Sequence, residues 1–424
     1  MNELIGQLNH KDVEKRLKAL SSLMEMVEKG EISKPKQGID VNNHIHTSYS
    51  FSPYSPSMAV WMAFMAGLVT AGIMDHDSIC GAEEFIKAGS IVGMSVTIGV
   101  ECRVDFSKTP LNGKTLNNPD QDSIAYVTIH GIPHTQIKKV KKFFKPLIEY
   151  RHQRNKRMIE RLNEILVPQG ISLNYDADVL PLSMNYDGGS VTERHLLFAV
   201  SKKIVKHFGR GQKVIEFLEN NLGIDVSQKN KEWLRDSKNK FYEYDLLGVL
   251  KSELVGLFYE NATEECPDVS QVVELSKEIG GIVAYAYLGD VTNSVTGDKK
   301  TQKFEDDYLD FLFEVIGGLG IKTITYMPSR NTKEQLMRIK ALCDKHQFFQ
   351  ISGEDINSPR QSFICEAQRS PEFSNLIDAT WALIGHEKAA TKDLKKAFFY
   401  EETVEEIPVL NERIEAYKII GKSK

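Results

Sequence analysis

Apolar residues recur near helical spacing at Leu4, Leu8, Leu17, Leu20, Leu23 and Met26, which predicts an amphipathic helix over residues 2–30. The run "EKGEISKPKQG" breaks it. From residue 38 the pattern changes to short β-friendly runs separated by segments of helical period. "GIDVNNHIH", "TAGIMDHD", "SVTIGVECRV" and "DSIAYVTIHGI" read as strands. "SPSMAVWMAFMAGL" and "GAEEFIKAGSIVG" read as helices, the first entered by Pro56 and Ser57 and ended near Gly67. After residue 268 the alternation resumes, with strands "IVAYAYLGD", "IKTITYMPS" and "FFQISGEDI" each preceded by a helical stretch. About seven strands alternating with helices predict a parallel α/β sheet or barrel.

Residues 137–265 interrupt this rhythm. They are helical and highly charged, as in "KKVKKFFKPLIEYRHQRNKRMIERLNEIL" and "TERHLLFAVSKKIVKHF". The predicted organisation is an N-terminal helical extension (1–37), a barrel (38–137 and 266–385), a helical insertion (138–265) and a C-terminal helical tail (386–424).

Composition narrows the class. A chain of 424 residues with a formal net charge of −5 is large enough for a sizeable core and is no chain-wide polybasic binder. No apolar stretch reaches the ~18 residues of a membrane span, and the N-terminus lacks the apolar core of a secretory signal. The five cysteines (Cys80, Cys102, Cys266, Cys343 and Cys365) are scattered, which argues against a thiolate zinc site and fits a reduced compartment. These features predict a cytoplasmic protein with no membrane partner.

The polar residues fall where the pattern ends its strands. In a parallel barrel the C-terminal strand ends carry function. The first strand ends in His44 and His46, two imidazoles on one strand face. The second ends in Asp75, His76 and Asp77, the third in Glu101, and the last in Glu354, Asp355, Ile356 and Asn357. Each motif has a plainer reading: a His-x-His occurs by chance, "DHD" can cap a helix, and Glu101 can be a surface carboxylate. Their succession at consecutive strand ends favours a mixed His/carboxylate site suited to zinc, manganese or iron. Residues 138–161 carry ten Lys/Arg against Glu149 and Glu160. Such a run can attract phosphate-rich ligands or be a solvated helix face. Without paired aromatics it does not suggest sequence-specific nucleic-acid binding.

"VNNHIHTSYS", then "GIMDHDSICGAEE", then "IGVE" resembles the PHP (polymerase and histidinol phosphatase) family of metal-dependent phosphoesterases. "RMIERLNEILVPQGISL" and "TERHLLFAVSKKIV" resemble the helical insert of its branch that hydrolyses nucleoside 3′,5′-bisphosphates and short RNA. The resemblance covers roughly residues 38–385. It implies a distorted (β/α)7 TIM-like barrel with a helical insertion subdomain and terminal helices. It further implies one to three divalent ions (Mn, Zn or Fe) and a phosphorylated small molecule, nucleotide or short oligonucleotide as substrate. Carried over, His44, His46, His76, Glu101, His195 and Asp355 match ligand positions, with Asn357 at a further one. Glu101 would bridge two ions, Asp75 would orient its neighbours, and Arg194 would bind phosphate. Arg330, after a strand, is a second candidate phosphate binder or an ordinary surface arginine.

The sequence also departs from the family. Tyr287 and Asn357 stand where histidines are usual, "TSYSFSPYS" holds no carboxylate, and the strand after Glu101 offers Tyr126, with His130 and His134 slightly later. A degenerate barrel acting as a binding module is therefore the alternative reading. An amide or C–N hydrolase is weaker, because no lysine sits at a strand end beside the His/Asp set.

Overall fold

The structure is a computed structural model that describes residues 1–291 and 303–423. Seven strands form one sheet in chain order: β1 (Val41–Ile45), β2 (Thr70–His76), β3 (Ser95–Asp105), β4 (Ile124–His130), β5 (Ile282–Ala286), β6 (Thr323–Tyr326) and β7 (Phe349–Ser352). Neighbours pair in parallel from β1 to β3 and from β5 to β7. The sheet curls until its edges meet at a parallel bridge between Ile45 and Ile356, a few residues beyond β7. There the His46 N–H donates to the Ile356 carbonyl at 2.9 Å and the Ile356 N–H to the His44 carbonyl at 3.1 Å. The fold is thus a curled, TIM-like α/β sheet flanked by helices.

One strand departs from the expected parallel order. β4 runs antiparallel to both β3 and β5. The link from β3, residues 106–123, contains no helix, and an antiparallel neighbour needs no crossover. β4 therefore ends at the rim where the other strands begin.

Helix Asn375–Lys392 covers that rim. His386 donates from Nε2 to the Gly131 carbonyl and accepts the Phe398 N–H at Nδ1, both at 2.9 Å. Glu387 accepts the Thr97 hydroxyl at 2.6 Å and the Ile98 N–H at 2.9 Å. This helix continues across the 385/386 division drawn from sequence. Its Gly385 lies against the backbone of Tyr417, and Gly421 of helix Leu410–Lys422 lies against that of Trp381, so a Cβ at either glycine would collide with a carbonyl.

The helix expected over 2–30 is two, Asn2–Gln7 and Val13–Glu28, because the Asp12 side chain accepts the Glu14 N–H and starts the second. Between β4 and β5 the chain builds a second apolar cluster from helices Ile137–Leu166, Glu193–Phe208 and Tyr242–Phe258. The last of these has no helical stripe to read, being apolar in blocks and carrying Gly248 and Gly256. Phe51, from the loop after β1, packs into this cluster and ties it to the strand that bears His44 and His46. Among the described residues no helix is long and apolar enough to cross a membrane.

Candidate metal centre

Alternation along β1 sends His44 and His46 to one face, and β2–β3 pairing sets His76 level with Glu101. These four side chains meet. One oxygen of Glu101, Oε2, lies 3.0 Å from His76 Nδ1, 3.7 Å from His44 Nε2 and 3.8 Å from His46 Nε2. Sheet closure brings in Asp355, whose Oδ1 is 3.1 Å from His46 Nε2. Ligand atoms of His44, His46 and Glu101 all fall within 4.8 Å of one another, and all three residues are buried.

The electrostatics follow from this crowding. Burial pushes the Glu101 carboxyl up, but the His44 and His76 imidazoles outweigh it and hold the group well below the usual carboxylate range. Burial likewise opposes ionisation of Asp355. His46 beside it, with His44 and Arg194 farther off, holds that carboxyl low. Burial lowers the His44 pKa and Glu101 raises it more; burial and the neighbouring His76 leave His46 lowered.

Support for the cluster comes from Asp75, which is fully buried. It accepts the Thr47 N–H and hydroxyl, both at 2.6 Å, and the Ser50 hydroxyl at 2.7 Å. Ser50 Oγ also lies 3.3 Å from His46 Nδ1. Its own proton is committed to Asp75, so Ser50 can only accept from Nδ1–H. That tautomer leaves the lone pair of His46 on Nε2, facing Asp355 and Glu101. His44 Nε2 is buried without a hydrogen-bond partner. Two imidazole nitrogens and a carboxylate within reach of one another, with His76 touching Glu101 and Asp355 touching His46, make a donor set that fits a divalent cation such as zinc, manganese or iron.

Solved structures share the fold. A protein from Bifidobacterium adolescentis assigned as a metal-dependent phosphoesterase superposes with a TM-score of 0.51 at 18% identity, over 80% of this chain and 96% of the other. An amidohydrolase from Chromobacterium violaceum, with bound sulfate and no metal, does so with a TM-score of 0.51 at 16% identity, over 77% of this chain and 90% of the other. The sequence matches no protein-family model and no curated protein sequence. At these identities the likeness is one of fold.

The remaining sequence candidates lie around the cluster in different ways. His195 is buried at the start of helix Glu193–Phe208, where its Nδ1 accepts the Thr192 N–H at 3.0 Å and its ring meets Phe51 edge-on. Burial takes its pKa down to about 3. With Nδ1 accepting, the imidazole proton sits on Nε2; ligation through Nε2 requires the other tautomer, which gives up the Thr192 N–H and leaves the Thr192 hydroxyl, 3.3 Å away, to accept from Nδ1. Arg194 is close enough to Asp355 to lower its pKa. Asn357 donates from Nδ2 to Asp355 Oδ1 at 2.8 Å and so occupies the carboxylate that faces His46. The Tyr287 hydroxyl donates to Asp306 at 2.6 Å. Arg330 donates from Nε to the Leu288 carbonyl at 3.4 Å. Tyr126 stands beside His76, with ring centroids 5.8 Å apart. His130, deeper on β4, is buried with its pKa taken down to about 3 by burial.

The basic helix is largely committed to ion pairs. Arg151 meets Asp77 at 2.7 Å. Arg154 contacts Glu193 at 2.5 Å and Glu265 at 2.8 Å, and Arg103 of β3 contacts the same two carboxylates at 3.0 and 3.3 Å. On its outer face Arg157 reaches Glu260 at 2.5 Å and Lys139 reaches Glu278 at 2.7 Å. Arg103, Glu193 and Glu265 escaped the sequence reading, which had no way to show that charges so far apart in the chain share one buried network. Thr47 and Ser50 carried a readable signal: small hydroxyls directly after His46 and a carboxylate at the next strand end.

Proposed function

We propose that this protein is a metal-dependent phosphoesterase of the PHP type, acting on the phosphate ester of a small molecule, a nucleotide or a short oligonucleotide. The observation that carries this reading is the buried cluster of His44, His46 and Glu101 at one rim of the sheet, with His76 against Glu101 and Asp355 against His46. The shared fold with a metal-dependent phosphoesterase supports it.

A divalent ion held there would supply Lewis acidity, activating water near neutral pH and neutralising phosphate oxygens. His44, His46 and His76 would hold it by neutral nitrogens. Glu101 and Asp355, kept ionised, would hold it by charge. Asp75 keeps the His46 tautomer correct through Ser50. Arg194, near enough to Asp355 to lower its pKa, would receive the negative charge of the phosphate.

A second reading is a barrel that binds without catalysis. It draws on Tyr287, whose hydroxyl is turned to Asp306, and on Asn357, which is bonded to Asp355. The deciding experiment is a panel of phosphate monoesters and nucleotides assayed with manganese, comparing wild type with His46→Ala. Turnover in wild type lost in the variant supports the esterase. Equal rates in both remove this site from the mechanism. A wild-type protein that retains no transition metal after manganese loading favours the second reading.

A further inference from the structure

Asp355 reaches His46 from a loop, and loops hold side chains less firmly than strands do. Its backbone is fixed on one side by the Ile356 bridge to β1. The other side is a tight turn. Gln361 donates from Nε2 to the Asp355 carbonyl at 2.6 Å, and its Oε1 accepts the N–H groups of Asn357 and Ser358 at 2.8 and 2.7 Å. The turn depends on where Gln361 is held, and its neighbour Arg360 is held strongly.

Arg360 donates from Nε and Nη2 to the two oxygens of Asp245, at 2.6 and 2.8 Å. Asp245 is buried within helix Tyr242–Phe258, and Asn239 donates to it from Nδ2 at 2.7 Å. The guanidinium also lies 4.2 Å from the centroid of the Trp233 ring and 5.2 Å from that of Phe241. A planar cation bound bidentately along one edge and covered by two aromatic rings has little freedom. All four partners belong to residues 233–245, between β4 and β5 in the chain, whereas Arg360 belongs to the loop after β7.

We infer that the Arg360–Asp245 clamp is a positioning device for Asp355: helices inserted after β4 hold the turn 355–361 and so set the carboxylate against His46. Arg360 does not itself touch the cluster; it acts through Gln361 and the turn. The inference rests on the proposed metal centre for its consequence, and on the hydrogen bonds above for its geometry.

The test uses the full-length protein in three forms: wild type, Arg360→Lys and Asp245→Asn. Lysine keeps the charge but cannot bond both oxygens or stack, and asparagine keeps the shape without the charge. Hydrogen exchange of the 353–364 segment is read first, without metal. The expected result is at least tenfold faster exchange there in both variants, with exchange of β1–β3 unchanged. Manganese affinity is read second, by calorimetry, with a loss of about tenfold expected in both variants, as for other groups that orient a ligand. Unchanged exchange in 353–364 overturns the inference. So does loosened exchange with wild-type manganese affinity, since Asp355 is then not held through the clamp. A wild type that binds no manganese while its variants loosen the loop defeats the metal centre, and the inference about Asp355 as a positioned ligand falls with it. Faster exchange shared equally by all segments, β1–β3 included, marks a merely structural role and also overturns it.

Discussion

Thr47 gives both its N–H and its hydroxyl to the two oxygens of Asp75, each at 2.6 Å. The loop that follows His46 is thereby pinned to the end of β2 beside His76. Asp75→Asn should preserve the shape but replace one acceptor by a donor facing hydroxyls and an N–H. A loss of tenfold to a hundredfold in manganese affinity is expected. Asp75→Ala should also destabilise the fold, by about 3 kcal/mol, because buried donors lose their acceptor. Denaturant unfolding and metal titration measure the two effects separately, and wild-type affinity in Asp75→Asn would show that the loop does not set the His46 tautomer.

Tyr287 stands where a ligand histidine is usual in the resembling family, yet its hydroxyl is spent on Asp306. Tyr287→Phe should leave manganese affinity within about twofold and cost about 1 kcal/mol of stability, the ordinary contribution of one hydrogen bond. A large drop in metal affinity would place this residue in the centre after all.

Arg154 is a buried cation whose carboxylate partners are Glu193 and Glu265. Arg154→Met should destabilise the protein by about 3–5 kcal/mol, since removing one partner strands buried charge. Thermal or urea unfolding checks this. An effect under ~1 kcal/mol would mean that Arg103 and Arg151 compensate.

His386 is buried, and burial takes its pKa down to about 4. A depressed histidine is neutral in the folded protein and gains its proton more readily when unfolded. Its contribution to stability is therefore full above the unfolded value of ~6.5 and is lost as pH falls toward 4. By linkage the loss approaches about 3 kcal/mol at the acid end. Melting curves from pH 7 to pH 4 should fall more steeply for wild type than for His386→Gln, which cannot titrate. Parallel curves would rule out this residue as the source.

Much of the cluster was legible in the chain because strands impose a simple geometry. A period of two put His44 and His46 together, and successive strand ends put His76 and Glu101 beside them. Asp355 was readable as a strand-end carboxylate, but its contact with His46 depends on sheet closure, which no local pattern reveals. The hydrogen bonds of Tyr287 and His195 were hidden for a related reason: residue type and place in the chain marked one as a departure and the other as a ligand candidate, but the partners, Asp306 and Thr192, are set by the fold. The direction of β4 lay in the missing helix between residues 106 and 123. Arg360 was illegible, since Asp245 and Trp233 lie more than a hundred residues away and the arginine's charge alone says nothing of where it is held.

The reversal of β4 decides how the inserted helices reach the rim. Because that strand descends, helix Ile137–Leu166 sets out from the far end of the barrel, near His134, and climbs along the outside like a mast. Fourteen residues of helix rise about 21 Å, enough to bring Arg151 level with Asp77 at the top of β2. Had β4 ascended like its neighbours, the same helix would have left from the end that bears His44, His46 and Glu101 and carried its arginines away from it.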